Sequence, residues 1–555
     1  MKRVRPANFL RVYRRYFASS GGNGGVGPRD GAAVKIAPSS SSFTTASQRK
    51  PVSDVEDLPE ICRVPLSKPL PGIPKAKYAV PPKSDPFQTE ITTLDSGLKV
   101  ASEAKFGEFC TVGVAIDAGS RYEVAYPSGM THFVEKLAFN STENFQNREE
   151  IAAILERYGG VCDCQATKDT IIYAASCHIS GADQLMSLIA DTVLRPRISD
   201  DELTVAKEVV RSNVDAIHMK PEPEELLTDL IHSAAYRENT LGLPKICPKE
   251  NVEKIRRDIL FSYLKTHYTP KRIVVAGVGV PHEILVEASK KYFEPTSATW
   301  EKNPSLLSST VPLRDESVAQ YTGGILKVEK DLSDVSQGIN DFPELAHFVL
   351  GLESCGYKDP DFVPFCVLNS LMGGGGSFSS GGPGKGMYTR LYLDVLNKYH
   401  WMYNATSYNA AYADTGLFYI HASANPTQLF DLVTVIVHQF LQMAADVGRV
   451  ELARAKTQLQ SNLMMNLEQR PVMFEDVARQ VLGHGYRKSP LEYVEEIQKV
   501  KAEDIKRIAE RMLATKASVI GYGTLKNLPI YENIDKAIGR RDVRLLKPGT
   551  YSFFK

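Results

Sequence analysis

A short segment of this 555-residue chain carries the residue types of a metal site. It reads His132-Phe-Val-Glu135-Lys136, where zinc hydrolases of the inverted-motif class need His-x-x-Glu-His. Residues four apart project from one helix face, so two imidazoles can reach one metal ion while the glutamate acts as general base. Here Lys136 stands where the second histidine should be. An ammonium group has no lone pair to donate and repels a cation, so the segment predicts a zinc site that has lost a ligand.

His132 and Glu135 alone would indicate an ordinary surface or core-edge pair, because His-x-x-Glu is common on helices. Their surroundings change this interpretation: Gly-Ser-Arg-Tyr-Glu at 119–123, Gly-Met-Thr-His-Phe-Val-Glu at 129–135 and Gln-Ala-Thr-Lys-Asp at 165–169. With these stretches the chain resembles the pitrilysin-like M16 metallopeptidases over roughly residues 90–540.

The resemblance implies where the remaining ligand should lie. In that family a third, glutamate ligand follows the second histidine by about 77 positions. Counting from Lys136 reaches Asn213, and the supporting acid seven positions earlier falls on Ala206. Only His132 is left as a ligand, so we expect no catalytic zinc and no other cofactor on this chain.

The chain also repeats itself. Glu-Leu-x-x-Ala-Lys at 202–207, followed by Ser212-Asn213, recurs at 451–456 and Ser461-Asn462, a constant offset of 249. Further pairs keep nearly the same register: Tyr236-Arg237 with Tyr486-Arg487, Asp258-Ile259 with Asp504-Ile505, and Gly277-Val278-Gly279 with Gly521-Tyr522-Gly523. The chain is therefore predicted to be a tandem duplication. The second copy has no His-x-x-Glu-His, which favours a structural role for both asparagines.

Each copy mixes predicted strands and helices. Apolar, β-rich runs at 110–118 and 272–280 predict strands, and Ser199 or Asp200 is a plausible N-cap for the fourth predicted helix. Apolar residues at helical spacing predict helices at 129–140, 147–158, 181–194, 200–217 and 223–236. The mixture predicts an α+β chain of two tandem homologous α/β-sandwich domains, and the resemblance implies the M16 (LuxS-like metallohydrolase) fold. The predicted domains are 86–296 and 318–545, joined by a linker at 297–317.

The N-terminus has the composition of a targeting segment. Six Lys or Arg residues and no acid lie within residues 1–17, interleaved with apolar residues, and the first acid is Asp30. This pattern is typical of a mitochondrial transit peptide, and the pattern does not fix the position of its cleavage site. A disordered basic tail is the alternative. Removing residues 1–17 lowers the formal net charge from +1 to −5. Residues 18–85 are rich in Gly, Ser and Pro and predict a linker or disorder.

Other compositional features narrow the function. No apolar run approaches the length of a transmembrane helix, and the near-zero net charge argues against a nucleic-acid binder. The eight cysteines show no regular framework and predict reduced thiols, in keeping with the mitochondrial matrix. Association with the inner membrane is left open.

A glycine-rich segment occupies residues 373–386, where eight of fourteen residues are glycine. A P-loop is excluded because Gly386 follows Lys385 where Ser or Thr is needed. A passive linker is the alternative, but side-chain-free backbone could also contact a variable extended peptide. The predicted substrate-binding residues of the segment are Gly373, Gly374, Gly375, Gly376, Ser377, Phe378, Gly381, Gly382, Gly384, Lys385 and Gly386.

Together with the following Gly-Met-Tyr-Thr-Arg-Leu-Tyr, this segment resembles the recognition subunit of heterodimeric M16 members. The resemblance implies a non-catalytic subunit that binds basic presequences of imported precursors, while a catalytic β subunit carries the zinc. Basic ligands need acids, and the predicted contact is Glu353, with Glu222, Glu224 and Glu225 as further candidates. The alternatives are a structural core subunit of respiratory complex III, which shares the fold, and an autonomous metallopeptidase, which would need the missing ligands.

Overall fold

The computed structural model describes residues 88–237, 239–294, 297–312, 315–336, 343–374 and 387–547. The predicted transit peptide at 1–17, the predicted linker at 18–85 and residues 375–386 of the glycine-rich segment lie outside these ranges. No helix among the described residues is long and apolar enough to cross a bilayer.

The first half of the chain builds a six-stranded sheet in the order β1-β2-β6-β3-β5-β4. Its strands are β1 (Thr89–Thr93), β2 (Lys99–Glu103), β3 (Phe109–Ile116), β4 (Val161–Ala166), β5 (Ile171–His178) and β6 (Ile273–Val278). Only β2 and β6 pair in parallel. Both strands predicted from apolar runs are confirmed as β3 and β6, which are central and buried on both faces.

The described residues of the first half contain eight helices. They are α1 (Met130–Leu137), α2 (Arg148–Arg157), α3 (Ala182–Leu194), α4 (Asp200–His218), α5 (Glu224–Tyr236), α6 (Arg257–His267), α7 (His282–Phe293) and α8 (Thr299–Lys302). All five helices predicted in this half are confirmed to within a few residues. Ser199 caps α4, because its side chain accepts the Glu202 N–H while the Glu202 carboxylate accepts the Ser199 N–H.

The second half builds a five-stranded sheet in the order β7-β11-β8-β10-β9. Its strands are β7 (Gly324–Glu329), β8 (Ala346–Glu353), β9 (Met402–Ala411), β10 (Gly416–Ala424) and β11 (Ser518–Gly523). Its helices are α9 (Ser333–Ser336), α10 (Phe362–Met372), α11 (Leu429–Gln442), α12 (Arg449–Asn466), α13 (Arg470–His484), α14 (Pro490–Lys499), α15 (Ala502–Leu513) and α16 (Tyr531–Gly539), with a π-helical turn at Leu391–Leu396. The predicted fold class, two tandem mixed α/β units, is confirmed.

Short 3₁₀ turns punctuate both halves. They lie at Ser120–Ala125, Ile179–Gly181, Thr240–Gly242, Lys249–Lys254, Pro270–Arg272, Pro304–Leu306, Pro426–Gln428 and Val543–Leu545.

Each half sends one helix to the other half's sheet. Helix α5 of the first half packs Leu227 and Ile231 against Val349 and Tyr419 of the second sheet. Helix α13 of the second half packs Phe474 and its neighbours against β3 and β6 of the first sheet. These helices occupy equivalent positions in the sequence repeat. Each therefore packs against the sheet of the other half, which we call the exchange of α5 and α13.

Buried ion pairs also join the halves. Arg121 donates to both carboxylate oxygens of Asp414, with Nη1–Oδ1 at 3.0 Å and Nη2–Oδ2 at 2.6 Å. Arg487 of the second half pairs with Glu103 on β2 and with Asp476 on α13, and Arg487 and Glu103 are almost completely buried. The two halves therefore form one packed unit.

The segment predicted as a linker, 297–317, begins with packed residues. Trp300 is buried and belongs to the same hydrophobic core as the first sheet, against which Leu306 and Leu307 also pack. The first core thus extends past residue 300, and the linker boundaries stay a prediction.

Candidate functional site

Helix α1, which carries the incomplete zinc motif, is fixed at its N-terminus by a buried carboxylate. Glu123 accepts hydrogen bonds from the backbone N–H groups of Gly129 (2.6 Å) and Thr131 (2.7 Å) and from the Thr131 hydroxyl (2.7 Å). Burial raises the pKa of Glu123 to about 7, although these hydrogen bonds favour its charged form. Gly129 has φ of +110° and a Cβ there would meet Cys247, so this helix start requires glycine.

His132 lies in the first turn of α1 and is 5% exposed. Its Nδ1 accepts a hydrogen bond from the Cys247 backbone N–H at 3.2 Å. A neutral imidazole that accepts at Nδ1 carries its proton on Nε2, which leaves no lone pair for a metal in this tautomer. The structure therefore uses this histidine to tie α1 to the segment around Cys247.

Glu135 and Lys136 form an ion pair at 2.9 Å. The second carboxylate oxygen of Glu135 accepts the backbone N–H of Ala166 at 3.1 Å and lies 3.7 Å from the ammonium of Lys245. In a catalytic site this carboxylate would activate a metal-bound water, but here two lysines and a strand N–H surround it. The positive charge that a zinc ion would supply comes instead from side chains.

Asn213 lies on α4, which packs against α1 as the family pattern requires. Its neighbour in that pattern, Ala206, is buried in the first core. The three helical positions that catalytic members would use therefore lie on two helices that pack against each other. A lysine, an amide and a methyl group do not fit a zinc ion, since none of them supplies an anionic or imidazole ligand. Among the described residues, no group of three or more His, Cys, Asp or Glu is placed to hold a metal ion.

The first two glycines of the glycine-rich segment have a structural role. Gly373 ends α10 with φ of +57°, and a Cβ there would lie 2.4 Å from the Thr389 side chain. Gly374 has φ of +135°, and a Cβ there would lie 2.2 Å from the Ala405 carbonyl oxygen. The Gly373 carbonyl accepts the Ser407 N–H at 2.9 Å, and Gly374 bridges to Thr406 on β9. The two described glycines of the segment therefore lie beside the edge strand β9.

Glu353 stands at the end of β8 and is half-buried. Burial raises the pKa of its carboxyl group, although Thr415 donates a hydrogen bond to it at 3.4 Å. It lines an open cleft of 380 Å³ together with Arg237, Tyr321, Thr322, Thr515 and Lys516. A carboxylate in a wide cleft can bind a cationic side chain, but the charge of Arg511 already acts on Glu353, and two further cations, Arg237 and Lys516, line the cleft.

The sheet register separates Glu353 from the glycine-rich segment. Glu353 pairs with Leu417, which pairs with Ala410 on β9, whereas Gly374 bridges to Thr406. Four residues along β9 and three strand spacings across give a separation of roughly 20 Å. The two predicted contact points do not form one compact pocket.

The other candidate acids lie where α4 connects to α5. Burial raises the pKa of Glu222, Glu224 accepts a hydrogen bond from the Tyr408 hydroxyl at 3.3 Å, and Glu225 pairs with Lys220 at 3.7 Å. The remaining predicted residues, Gly375, Gly376, Ser377, Phe378, Gly381, Gly382, Gly384, Lys385 and Gly386, lie outside the described residues.

Sequence reasoning missed the partners of the motif at 119–123. Arg121 binds Asp414, and a Cβ on Gly119 would lie 2.3 Å from backbone atoms of Lys168. The close approach of the Lys168 backbone leaves no room for a side chain at position 119, and Arg121 is buried in its ion pair with Asp414. The motif at 119–123 indicated that these positions matter, but nothing in its sequence indicates that Arg121 binds a residue 293 positions away.

Two protein-family models match the chain in succession. The one described as insulinase (peptidase family M16) matches residues 99–249, and the one described as the peptidase M16 inactive domain matches residues 254–459. The chain belongs to the M16 peptidase family, and its metal-binding positions are incomplete.

Within that family, the chain is similar to mitochondrial-processing peptidase alpha subunits. It is 54% identical to that of Bos taurus over 89% of this chain and 92% of the relative. The corresponding protein of Caenorhabditis elegans is 47% identical over 87% of this chain and 94% of the relative. That of Solanum tuberosum is 32% identical over 85% and 88%, respectively.

Proposed function

We propose that this chain is the non-catalytic, substrate-recognising subunit of a mitochondrial processing peptidase. The observation that carries the proposal is the ion pair between Glu135 and Lys136, which replaces the pair of general base and metal ligand. A subunit with this pair has no means of activating water at this position. The similarity to alpha subunits along nearly the whole chain supports the same role.

In this proposal, the zinc and the hydrolytic chemistry belong to a catalytic β subunit, and the active form is a heterodimer in the mitochondrial matrix. The heterodimer removes N-terminal presequences from imported precursor proteins. The acid-free N-terminus of this chain fits the same compartment, since it has the composition of a presequence itself. Removing it leaves a net charge of −5, which favours encounter with basic peptides.

The proposed recognition surface includes the glycine-rich segment 373–386 and Glu353. Backbone groups of the segment would accept many sequences, and Glu353 would bind an Arg or Lys side chain. The roughly 20 Å between Gly374 and Glu353 corresponds to about six residues of extended peptide. A presequence that contacts both Gly374 and Glu353 would therefore be recognised over at least about six residues.

Reconstitution tests the role of the chain. The isolated protein and its heterodimer with a zinc-containing β subunit are each assayed for precursor cleavage and zinc content. We expect cleavage only from the heterodimer, and about one zinc per heterodimer that remains with the β subunit after separation. A purified isolated chain that contains zinc and cuts precursors in a chelator-sensitive manner would overturn the proposal.

A second experiment tests the recognition surface. Deletion of residues 375–386 keeps Gly373 and Gly374, whose conformations the fold requires, and we expect weaker precursor binding by an intact heterodimer. Glu353→Gln should raise KM for precursors with little change in kcat, whereas Glu510→Gln, an exposed acid on α15, should change neither. Unaltered cleavage by the deletion variant would refute the assignment of the segment.

A further inference from the structure

Helix α4 carries an apolar seam on the face opposite to the core. The seam consists of Val205, Val209, Ser212 and Ala216 and of Met219, the residue that caps the C-terminus of the helix, at alternating spacings of four and three residues. All five are exposed, and Val205, Val209 and Met219 are 58%, 45% and 73% exposed. This spacing is that of the positions through which one helix packs along another. In the described part of the chain, nothing covers this face.

A line of acids runs beside the seam. Asp201, Glu208 and Asp215 recur every seven residues, so they lie on one flank of it. Asp215 pairs with Lys249, whereas Asp201 and Glu208 have no ion-pair partner among the described residues. An apolar seam with an acidic flank complements a helix that has an apolar seam and a basic flank.

The duplicated helix α12 provides an internal comparison. The positions equivalent to the seam, 249 residues later, are Arg454, Gln458, Ser461, Met465 and Glu468. The positions equivalent to the three acids are Val450, Thr457 and Met464. Neither the seam nor its acidic flank is repeated there, so both are specific to α4 and are not required by the fold of the repeat.

We propose that the exposed seam of α4 binds the basic amphipathic helix of a presequence, lying along the helix axis. This inference rests on the proposed function and adds a docking surface for the part of the presequence that is helical. Val205, Val209 and Met219 receive its apolar side chains, and Asp201 and Glu208 receive its Arg and Lys side chains. A helical segment on α4 leaves the extended remainder of the precursor free to reach the β subunit.

The test uses the full heterodimer and a fluorescent peptide with the sequence of residues 1–20 of this chain, which is basic and has apolar residues near helical spacing. Ser212→Lys places a cation in the seam, and Ser461→Lys makes the same change at the equivalent exposed position of α12. We expect Ser212→Lys to weaken peptide binding by about tenfold, through lost apolar contact and added repulsion. Ser461→Lys should leave the affinity unchanged.

A second peptide tests the conformation of the ligand. The same sequence with Leu10→Pro, which breaks a helix, should bind more weakly and should not respond to Ser212→Lys. Size-exclusion chromatography with light scattering monitors the assembly of the heterodimer. We expect both lysine variants to assemble.

Three outcomes overturn the inference. Loss of the heterodimer with Ser212→Lys alone would identify the seam as the subunit interface. Peptide affinity equal in the two variants would show that α4 does not bind the helix, while cleavage by the heterodimer would leave the proposed function standing. An assembled heterodimer that neither binds the peptide nor cleaves precursors would overturn the proposed function and this inference together.

Discussion

The buried ion pair between Arg121 and Asp414 should contribute strongly to the stability of the contact between the two halves. Arg121 is 7% exposed, and the Asp414 side chain is 16% exposed and also accepts the Ala319 N–H at 2.9 Å. Arg121→Met keeps most of the side-chain volume but leaves the carboxylate largely desolvated without its cation. Breaking a buried pair from one side costs about 3 kcal/mol. We therefore expect both Arg121→Met and Asp414→Leu to lower stability by about that amount.

Thermal unfolding followed by circular dichroism measures the effect. The entropy of unfolding is about 2 cal/mol/K per residue, so for roughly 450 ordered residues a loss of 3 kcal/mol lowers Tm by about 3 °C. The double variant buries no uncompensated charge and should lose much less than the sum of the two single changes. Lys398→Met, which breaks an exposed pair with Asp394, should leave Tm unchanged.

The same pair predicts a dependence on pH. Burial alone would raise the pKa of Asp414, but the hydrogen bonds from Arg121 and Ala319 and the charge of Arg121 hold it below its usual value. A carboxyl group with a lowered pKa stabilises the fold fully above its unfolded pKa of about 4, and this contribution is lost as pH falls through the folded pKa. Additive single variants, or an Arg121→Met variant with the wild-type Tm, would refute the coupling of the halves through this pair.

Three further expectations concern the fold around the site. Gly373→Ala and Gly374→Ala should each lower the free energy of unfolding, measured by urea titration, by about 2 kcal/mol or more, because both positions have positive φ and a Cβ would be crowded. Gly539→Ala should not lower it, because a Cβ at position 539 meets open space. Burial lowers the pKa of His347 to about 4 in the folded protein, whereas in the unfolded chain it is about 6.5. As pH falls below about 6.5, the unfolded chain therefore binds more protons than the folded protein, and the free energy of unfolding decreases. His347→Gln should flatten the Tm–pH profile between pH 6.5 and 4, and an unchanged slope would contradict this assignment. Ser199→Ala removes one side of the α4 capping box and should cost about 1 kcal/mol in the same urea titration.

Local patterns in the sequence predicted the elements well. The helix predicted at 200–217 is observed at Asp200–His218, because Ser199 and Glu202 form a capping box that is recognisable from residue types alone. The strands β3 and β6 followed from their apolar runs, since central strands are buried on both faces. The presence of Lys136 where the family pattern needs a histidine could be read from the sequence, because ligand chemistry depends on residue type and spacing, and its consequence for zinc binding stays a prediction.

Long-range partners could not be predicted in the same way. The apolar face of α5 is visible in the sequence, but nothing in its periodicity indicates that it packs on the second sheet. The demand for glycine at Gly373 and Gly374 depends on the side chain of Thr389 and the backbone of Ala405, which only the fold brings close. The separation of Glu353 from Gly374 depends on strand order, which residue types do not specify.

The exchange of α5 and α13 has a consequence for folding during synthesis. When the first half has left the ribosome, its sheet still lacks α13 and its own α5 has no surface to cover, so apolar side chains such as Ile231 and Val274 face water. The first half expressed alone should therefore aggregate, whereas the two halves produced together as separate chains can complete each other. We therefore expect the native state to form only when both halves of the duplication are present.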